Sequence, residues 1–201
     1  MSKRTTLILA SGSPRRSELL QQIGVQFRVM PVEVDETPWP EEQPHEYVLR
    51  MARTKASVGS QQSDTVDSVV LGADTVVVCD DLIMGKPSGF SDARDMLRRL
   101  SGKAHTVLTA VAVTDGNNME YRIADSQVTF REITESEINR YWQTGEPCDK
   151  AGGYAIQGKG AIFVSQISGS YSGVVGLPLM ETCELLRIFE VPDWAKSQGV
   201  V

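Results

Sequence analysis

The chain has little from which to build several common kinds of site. It carries three cysteines, Cys79, Cys148 and Cys183, and two histidines, His45 and His105, in 201 residues. Widely spaced thiols, odd in number, make no disulfide framework and fit a reducing compartment, so a cytoplasmic location is expected. Two histidines cannot furnish a His-rich zinc site. No apolar run is long enough to cross a bilayer. The basic start Met1-Ser-Lys-Arg-Thr-Thr is not followed by a signal-peptide core. An excess of basic residues is missing too. With 20 Lys and Arg against 26 Asp and Glu, the net charge is −6. That argues against a nucleic-acid or anionic-membrane partner, which needs a broad basic surface. It leaves room for a small anion held by a local cluster of cations. The chain has no G-x-x-x-x-G-K-[ST], no G-x-G-x-x-G after its first strand and no G-x-S-x-G. A P-loop, a dinucleotide fold and a nucleophile elbow therefore lack support.

Apolar residues make up 41% of the chain and are spread along it, enough for a core. The most informative stretch is Leu7 to Leu20. Leu7 to Ala10 reads as a buried strand. Ser11, Gly12 and Ser13 form a small-residue loop, and Pro14 suits a first helical position. Leu19, Leu20 and Ile23 give the helix an apolar stripe, and Gly24 is placed to end it. A helix N-terminus reached through a small loop presents unpaired N–H groups and partial positive charge to an anion. Arg15 and Arg16, in the first turn, oppose the helix dipole, and an anionic ligand would relieve the conflict. The alternative is two solvated surface arginines.

Further on, Val25 to Val34 reads as a strand leading to the carboxylates of Glu33-Val-Asp-Glu36. Thr37 to Pro44 holds three prolines and is irregular. A helix is expected from Pro44 to Gly59, with Tyr47, Val48, Met51 and Ala52 as its stripe and Lys55 on a neighbouring face. Ser60 to Ser68 reads as a loop. Val69 to Val78 is the strongest strand signal and reads as central. Asp74 interrupts it beside Gly72 and Ala73. A carboxylate there is disfavoured by propensity and costly to bury alone, so it is either functional or part of a structural salt bridge.

Asp80-Asp81 turns the chain toward Lys86-Pro87. Ser91 is placed to cap a helix ending at Ser101-Gly102. Thr106–Thr114 and Glu120–Glu132 read as a hairpin through Asp115-Gly-Asn-Asn118. Thr134-Glu-Ser-Glu137 is a capping box, opening a helix with Ile138, Tyr141 and Trp142 inward. Gly145 to Gly160 is a glycine-rich loop whose Tyr154, Ala155 and Ile156 argue for order. Ala161 to Ile167 reads as a strand and Ser168 to Gly173 as a turn. A last helix starts at Leu177-Pro178, and a polar tail from Val191 is expected to fray. No linker separates independent domains, so residues 1–201 read as a single domain with a core over about 7–189 and a tail over 191–201.

The chemistry collects at the Ser11–Arg16 loop, the pair Asp35-Glu36, Asp74, and Lys55 with Lys86. Cations and amides suit a polyphosphate. Carboxylates without a histidine or cysteine cluster suit a hard cation such as Mg²⁺. Phosphoryl transfer needs little more than positioning, neutralised charge and an oriented nucleophile. Ser11 and Ser13 have no adjacent histidine to activate them and read as phosphate donors. An exposed carboxylate pair and an ordinary helix lysine are the plainer readings of Glu36 and Lys55.

Ser11-Gly-Ser-Pro-Arg-Arg16 with Glu18-Leu-Leu20 resembles the opening of the Maf family of nucleoside triphosphate pyrophosphatases. Leu71-Gly-Ala-Asp-Thr-Val-Val-Val78, Gly85-Lys-Pro87, Leu100-Ser-Gly102 with His105-Thr-Val107, Asp149-Lys-Ala-Gly-Gly-Tyr-Ala-Ile-Gln-Gly158 and Val174-Val-Gly-Leu-Pro178 resemble its later blocks in order. The resemblance implies a mixed α/β sheet with flanking helices, two lobes around a central cleft, of the Maf/ITPase-like kind. It implies hydrolysis of a nucleoside triphosphate to monophosphate and pyrophosphate with a divalent metal, Mg²⁺ or alternatively Mn²⁺, and a homodimer. It puts the water-activating base at Asp74, metal ligands at Glu36 and Asp74, and catalytic roles at Lys55, Lys86, Asp74 and Glu36. Ser11, Arg15, Arg16, Thr75 and Gln157 are implied to bind substrate.

Arg15-Arg16, Asp74-Thr75 and Gln157 resemble the dTTP- and UTP-hydrolysing branch, for which clearing non-standard pyrimidine nucleotides is a further expectation. Gln157 can accept from N3–H and donate to O4 of uracil or thymine, while Arg15 offers donors only and rewards a carbonyl. Two alternatives stand beside this reading. One is a nucleotide-sensing module linked to cell division. The other is a pyrophosphatase for a modified purine nucleotide such as 7-methyl-GTP. A sensor gains nothing from a carboxylate at Asp74 beside phosphate unless a metal intervenes.

Overall fold

Two of the most apolar runs in the chain lie side by side, which is why neither alternates with polar residues. Strand β1 (Thr6–Leu9) runs parallel to β3 (Ser68–Cys79), with Leu7 opposite Val69, Ile8 opposite Val70 and Leu9 opposite Leu71. All six side chains are buried, as parallel strands covered on both faces require. The structure is a computed structural model that describes residues 6–65 and 67–193. Besides β1 and β3 it has α1 (Pro14–Gln22), β2 (Phe27–Val29), α2 (Pro44–Gln62), β4 (Leu82–Met84), α3 (Phe90–Leu100), β5 (Ala104–Thr114) and β6 (Met119–Phe130). Then come α4 (Glu135–Gln143), three 3₁₀ turns (Glu146–Asp149, Ala151–Gly153 and Lys159–Phe163), β7 (Val164–Ser168), α5 (Tyr171–Val175) and α6 (Leu179–Ile188).

The strands form one seven-stranded sheet in the order β2-β1-β3-β5-β6-β7, with β4 paired to β3. Strand β1 is parallel to both its neighbours, while β3–β4 and β6–β7 are antiparallel. This is the mixed α/β sheet with helices that the sequence led us to expect. By internal contacts the chain forms two compact units. Of the described residues, the first takes those up to Asp74, Thr109–Ala124 and those from Gly176; the second takes Thr75–Leu108 and Asp125–Val175.

Local signals are realised where they are strongest. Helix α1 starts at Pro14, and Gly24 (φ 67°) ends it. The Gly24 N–H bonds the Gln21 carbonyl at 2.9 Å and the Val25 N–H bonds that of Leu20 at 3.2 Å, a Schellman closure. The capping box at Thr134 and Glu137 is formed in both directions. Asp80 and Asp81 take φ values of 52° and 61°, the paired positive angles of a two-residue hairpin turn.

Other expectations are corrected. The strand expected over Val25–Val34 is confined to Phe27–Val29. The Met30 N–H still reaches the Leu9 carbonyl at 2.9 Å, but Pro31 has no N–H with which to continue. Helix α2 runs on to Gln62, past Gly59. Gly59 is a packing residue: a Cβ there would lie 2.8 Å from Val70 and 2.9 Å from Ala10. Ser91 does not cap α3. Gly89 holds the N-cap position, and Asp92 accepts from the N–H and hydroxyl of Ser88 at 2.9 and 3.2 Å.

Residues before Val164 are in a 3₁₀ turn, so β7 is shorter than expected, and the expected turn before Gly173 gives way to helix α5. Trp142 is half-buried, tilted against Phe90 at 5.9 Å. The tail begins packed, not frayed: Val191 and Asp193 are buried, and Asp193 accepts twice from Arg187 at 3.0 and 3.2 Å. The rest of the expected tail, 194–201, lies outside the described residues.

The second unit has a different core. Phe130 stands at the centre of a ring cluster, 4.9 Å from His105, 4.7 Å from Tyr154 and 6.1 Å from Phe163, and Tyr141 meets Phe163 edge-on at 5.1 Å. Tyr154, Ala155 and Ile156 are buried, so the glycine-rich loop is ordered as expected.

Candidate active site

Helix α2 lies against β3 with almost no side chain between them. Ala52, Ala56 and Gly59 share the buried face of α2. Across from them, a Cβ on Gly72 would come within 2.4 Å of the Ala52 carbonyl oxygen and 2.5 Å of the Ala56 nitrogen. Only glycine allows that approach. The approach matters because Lys55 lies on the same face, one residue before Ala56, and Asp74 lies two residues after Gly72.

The Lys55 Nζ donates to Asp74 Oδ1 at 2.7 Å and to Glu36 Oε1 at 2.6 Å. Lys55 is 8% exposed and Asp74 9%, whereas the Glu36 side chain is 51% exposed. One ammonium therefore joins a buried carboxylate from the central strand to an open one from the β2–α2 loop. The salt bridge considered as an alternative for Asp74 does exist. Here a single lysine faces two carboxylates, and the Arg16 guanidinium lies close enough to feel both of their charges.

The cluster is held from both sides. The Tyr47 hydroxyl, from α2, donates to the Glu36 main-chain carbonyl at 2.8 Å. Burial, then the charges of Asp74 and Glu36, push the Tyr47 phenol up to about 12, so it stays a donor through the physiological range. Arg50, one turn on, donates to both carboxylate oxygens of Glu42 at 2.5 and 2.6 Å and to the Thr37 carbonyl at 3.1 Å. Its guanidinium also lies 4.3 Å from the centre of the Trp39 ring. The loop that carries Glu36 is thus strapped to α2. Asp35 takes no part in the Lys55 cluster; it accepts from the Thr37 N–H at 2.9 Å.

Ser11 and Arg16 form a second group. The buried Ser11 Oγ accepts from the Ser13 N–H at 3.2 Å and from Arg16 Nη1 at 3.0 Å. With two acceptor positions taken, the Ser11 hydroxyl proton is left to donate, which is what a phosphate oxygen requires. Arg16 Nε is fixed on the Gly176 carbonyl at 2.8 Å, so this arginine is not a solvated surface residue. Burial lowers its pKa, and the negative charge of Asp74 and Glu36 opposes that. Arg15 is half-buried beside it in the first turn of α1.

Ser11, Arg15, Arg16, Glu36, Lys55 and Asp74 all belong to the first unit. Thr75, Lys86 and Gln157 belong to the second: Thr75 is half-buried in β3, while Lys86 and Gln157 are exposed in the segments after β4 and after Ile156. Sequence reasoning missed Tyr47 as a site residue, reading it as part of an apolar stripe. It also missed Arg50. Their spacing was the available signal, since residues three apart share a helix face.

The donor set fits a divalent cation of the magnesium kind. Among the described residues no group of three or more His, Cys, Asp or Glu side chains is gathered into a cage. Magnesium uses one or two carboxylates and completes its shell with water and substrate phosphates, and Glu36 with Asp74 supply such a pair. No helix of the described residues is long and apolar enough to cross a membrane.

The Maf-like protein family matches residues 6–189. The chain belongs to that family. Its curated relatives include a protein of Pseudoalteromonas atlantica, 56% identical over 90% of this chain and 95% of the relative. A second, from Nitrosospira multiformis, is 52% identical over 92% and 97%. A third, from Vibrio parahaemolyticus, is 49% identical over 94% and 100%. All three carry the name dTTP/UTP pyrophosphatase. The blocks of Maf likeness read in the sequence, from Ser11 to Pro178, all lie within the family match.

Proposed function

We propose that this Maf-like protein hydrolyses dTTP and UTP to the nucleoside monophosphate and pyrophosphate. The single observation that carries the mechanism is the Lys55 ammonium held between Glu36 and Asp74. The relatives' shared name supports the substrate.

In this reading Asp74 takes a proton from the attacking water. The water oxygen forms a bond to the α-phosphorus, the bond from that phosphorus to the α–β bridging oxygen breaks, and pyrophosphate leaves with the electron pair. Glu36 and Asp74 would hold a divalent cation, Mg²⁺ or Mn²⁺, which when bound supplies positive charge against the phosphates. Lys55, Lys86 and Arg16 offset the charge that gathers on the leaving pyrophosphate. Ser11 donates its hydroxyl to a phosphate oxygen. Thr75, Gln157 and Arg15 are assigned to the base on the family resemblance, with Gln157 suited to pair with N3–H and O4. Arg15 at a carbonyl penalises the cytosine amino group. The thymine methyl is worth only about 1–3 kcal/mol of discrimination, so dTTP and UTP are both accepted. A homodimer in the cytoplasm belongs to the same reading.

The test is pyrophosphate release with Mg²⁺ and a panel of nucleotides, with products separated by chromatography. UTP and dTTP should be cleaved well ahead of CTP, GTP and 7-methyl-GTP, and UMP should be the first product. UDP appearing first would refute the bond assignment. Tight binding of nucleotide and Mg²⁺ without turnover would turn the reading toward a sensor.

A further inference from the structure

Gln157 sits at the edge of a turn that is wound around one carboxylate. Glu146, in the first 3₁₀ turn after α4, accepts from the Lys159 N–H through Oε2 at 2.9 Å. Through Oε1 it accepts from the Gly160 N–H at 2.9 Å and from the Tyr141 hydroxyl at 2.7 Å. Tyr141 extends the grip, because its oxygen accepts from the Ala155 N–H at 3.0 Å. The segment 155–160 is thereby tied at both ends to one Glu–Tyr pair. The fit is close: a Cβ on Gly158 would fall 2.4 Å from Glu146 Oε2, and one on Gly160 would fall 2.7 Å from the Tyr141 oxygen. Burial raises the Glu146 carboxyl, but the Lys159 and Gly160 amides and Tyr141 outweigh it and hold the group below the usual carboxylate range. The anion is thus the form that organises the turn. All of these residues lie in the second unit.

Gln157 is exposed, and its side chain has several rotatable bonds and two interchangeable ends. Such a side chain reads a base edge only if its backbone is fixed. We infer that Glu146 is a specificity-positioning residue, which fixes the backbone of the turn and so the place from which the Gln157 amide reaches the pyrimidine edge. The inference rests on the assignment of Gln157 to the base. Glu146 itself touches no substrate in this account. It acts through the turn, and so it shifts the choice between uracil and cytosine more than the cleavage step.

Glu146→Gln tests this. The variant keeps shape, but its NH₂ faces an amide N–H donor where a carboxylate oxygen stood, so one end of the turn is released. The readout is the ratio of kcat/KM for UTP to that for CTP, measured in the wild type, in Glu146→Gln, in Gln157→Ala and in the double variant. Glu146→Gln should lower the ratio by about tenfold, the scale of one misplaced recognition hydrogen bond. In the Gln157→Ala background it should change the ratio no further. A merely structural glutamate would lower the melting temperature and leave the ratio alone.

If Gln157→Ala lowers the ratio and Glu146→Gln does not, the positioning role is overturned while the base assignment stands. If Gln157→Ala itself leaves the ratio unchanged, the base assignment fails and the positioning role with it. Should Glu146→Gln not fold, Gly158→Ala gives the same test, since its new methyl takes space that the Glu146 carboxylate occupies. An unchanged ratio in Gly158→Ala would overturn the inference equally.

Discussion

The two units bury polarity in opposite ways. In the first, a lysine and an aspartate go into the core charged, joined at 2.7 Å between small-residue faces of α2 and β3. In the second, His105 goes into the core among Phe130 and Tyr154, and burial pushes its pKa down to about 4. Its Nε2 pairs with the Tyr154 hydroxyl at 2.8 Å, and Nδ1 has no partner among the described residues. A charge kept in a low-dielectric interior needs a counter-charge within reach; an imidazole can shed its charge instead. Under the proposed function, the difference is that between a site and a scaffold. The Lys55 cluster carries charge that a polyphosphate and a cation can exchange for their own. The His105 cluster is neutral and aromatic, and offers a polyphosphate no opposite charge.

The contrast breaks most severely at Asp74. Asp74→Asn keeps the size of the side chain and an oxygen for Lys55, but removes the base and half of the carboxylate pair. Turnover should fall by about 10³-fold or more, the scale of losing a general base together with a metal-directed charge. The fold should survive, because the cluster changes from a net −1 to a neutral Lys55–Glu36 pair. Pyrophosphate release and a melting curve on the same preparation check both halves. A folded Asp74→Asn that keeps most of its turnover would falsify the mechanism.

How much of this was legible in the sequence follows from how local each cause is. The Schellman end at Gly24, the Thr134 capping box and the Asp80-Asp81 turn depend on neighbours a few residues away, and all were readable. The β1 and β3 strands were readable because both are apolar without alternation. The length of β2 was misread because its apolar pattern outlasts its hydrogen bonding, which Pro31 stops. The end of α2 was misread because Gly59 looks like a terminator in sequence and is a packing residue in space. Asp74 was legible as a residue type out of place, whereas Glu36 and Lys55 looked ordinary and were joined to it only by the family resemblance; the contact that unites them was not legible. It depends on Gly72 letting β3 touch α2, a contact between segments with no shared pattern. Tyr47 was hidden for a different reason: its ring belongs to the apolar stripe, and only its hydroxyl reaches Glu36.

A smaller effect tests the neutral half of the comparison. The unfolded chain binds a proton at His105 near the ordinary value of 6.5, and the folded chain only near 4. As pH falls from 6.5 to 4 the unfolded state gains a proton that the folded state refuses, so stability is lost across that window. Above 6.5 this group costs nothing. The loss is on the order of 3 kcal/mol when complete. His105→Gln should remove this part of the slope, so that denaturant midpoints of variant and wild type diverge at pH 7 and converge toward pH 4. Parallel curves across the window would show that His105 is not buried in its neutral form.

The smallest effect is expected at the hinge between packing and chemistry, Tyr47. Tyr47→Phe keeps the ring in the stripe of α2 and removes only the hydroxyl that holds the Glu36 carbonyl at 2.8 Å. Because the Glu36 side chain is half exposed, water can take over the freed carbonyl. The stability cost is therefore that of one ordinary hydrogen bond, about 1 kcal/mol. The functional cost has a different signature. Asp74 remains fixed in β3, so only one of the two carboxylates proposed for the cation loses its anchor. Half-saturation by Mg²⁺ should move to concentrations about three- to tenfold higher, while kcat at saturating Mg²⁺ stays near the wild-type value. Arg50 still straps the same loop through Thr37 and Glu42, which keeps the shift small. A Mg²⁺ titration of pyrophosphate release separates the two possibilities. A drop in saturated kcat with no change in the Mg²⁺ midpoint would mean that Tyr47 supports Asp74 and Lys55, not the loop of Glu36.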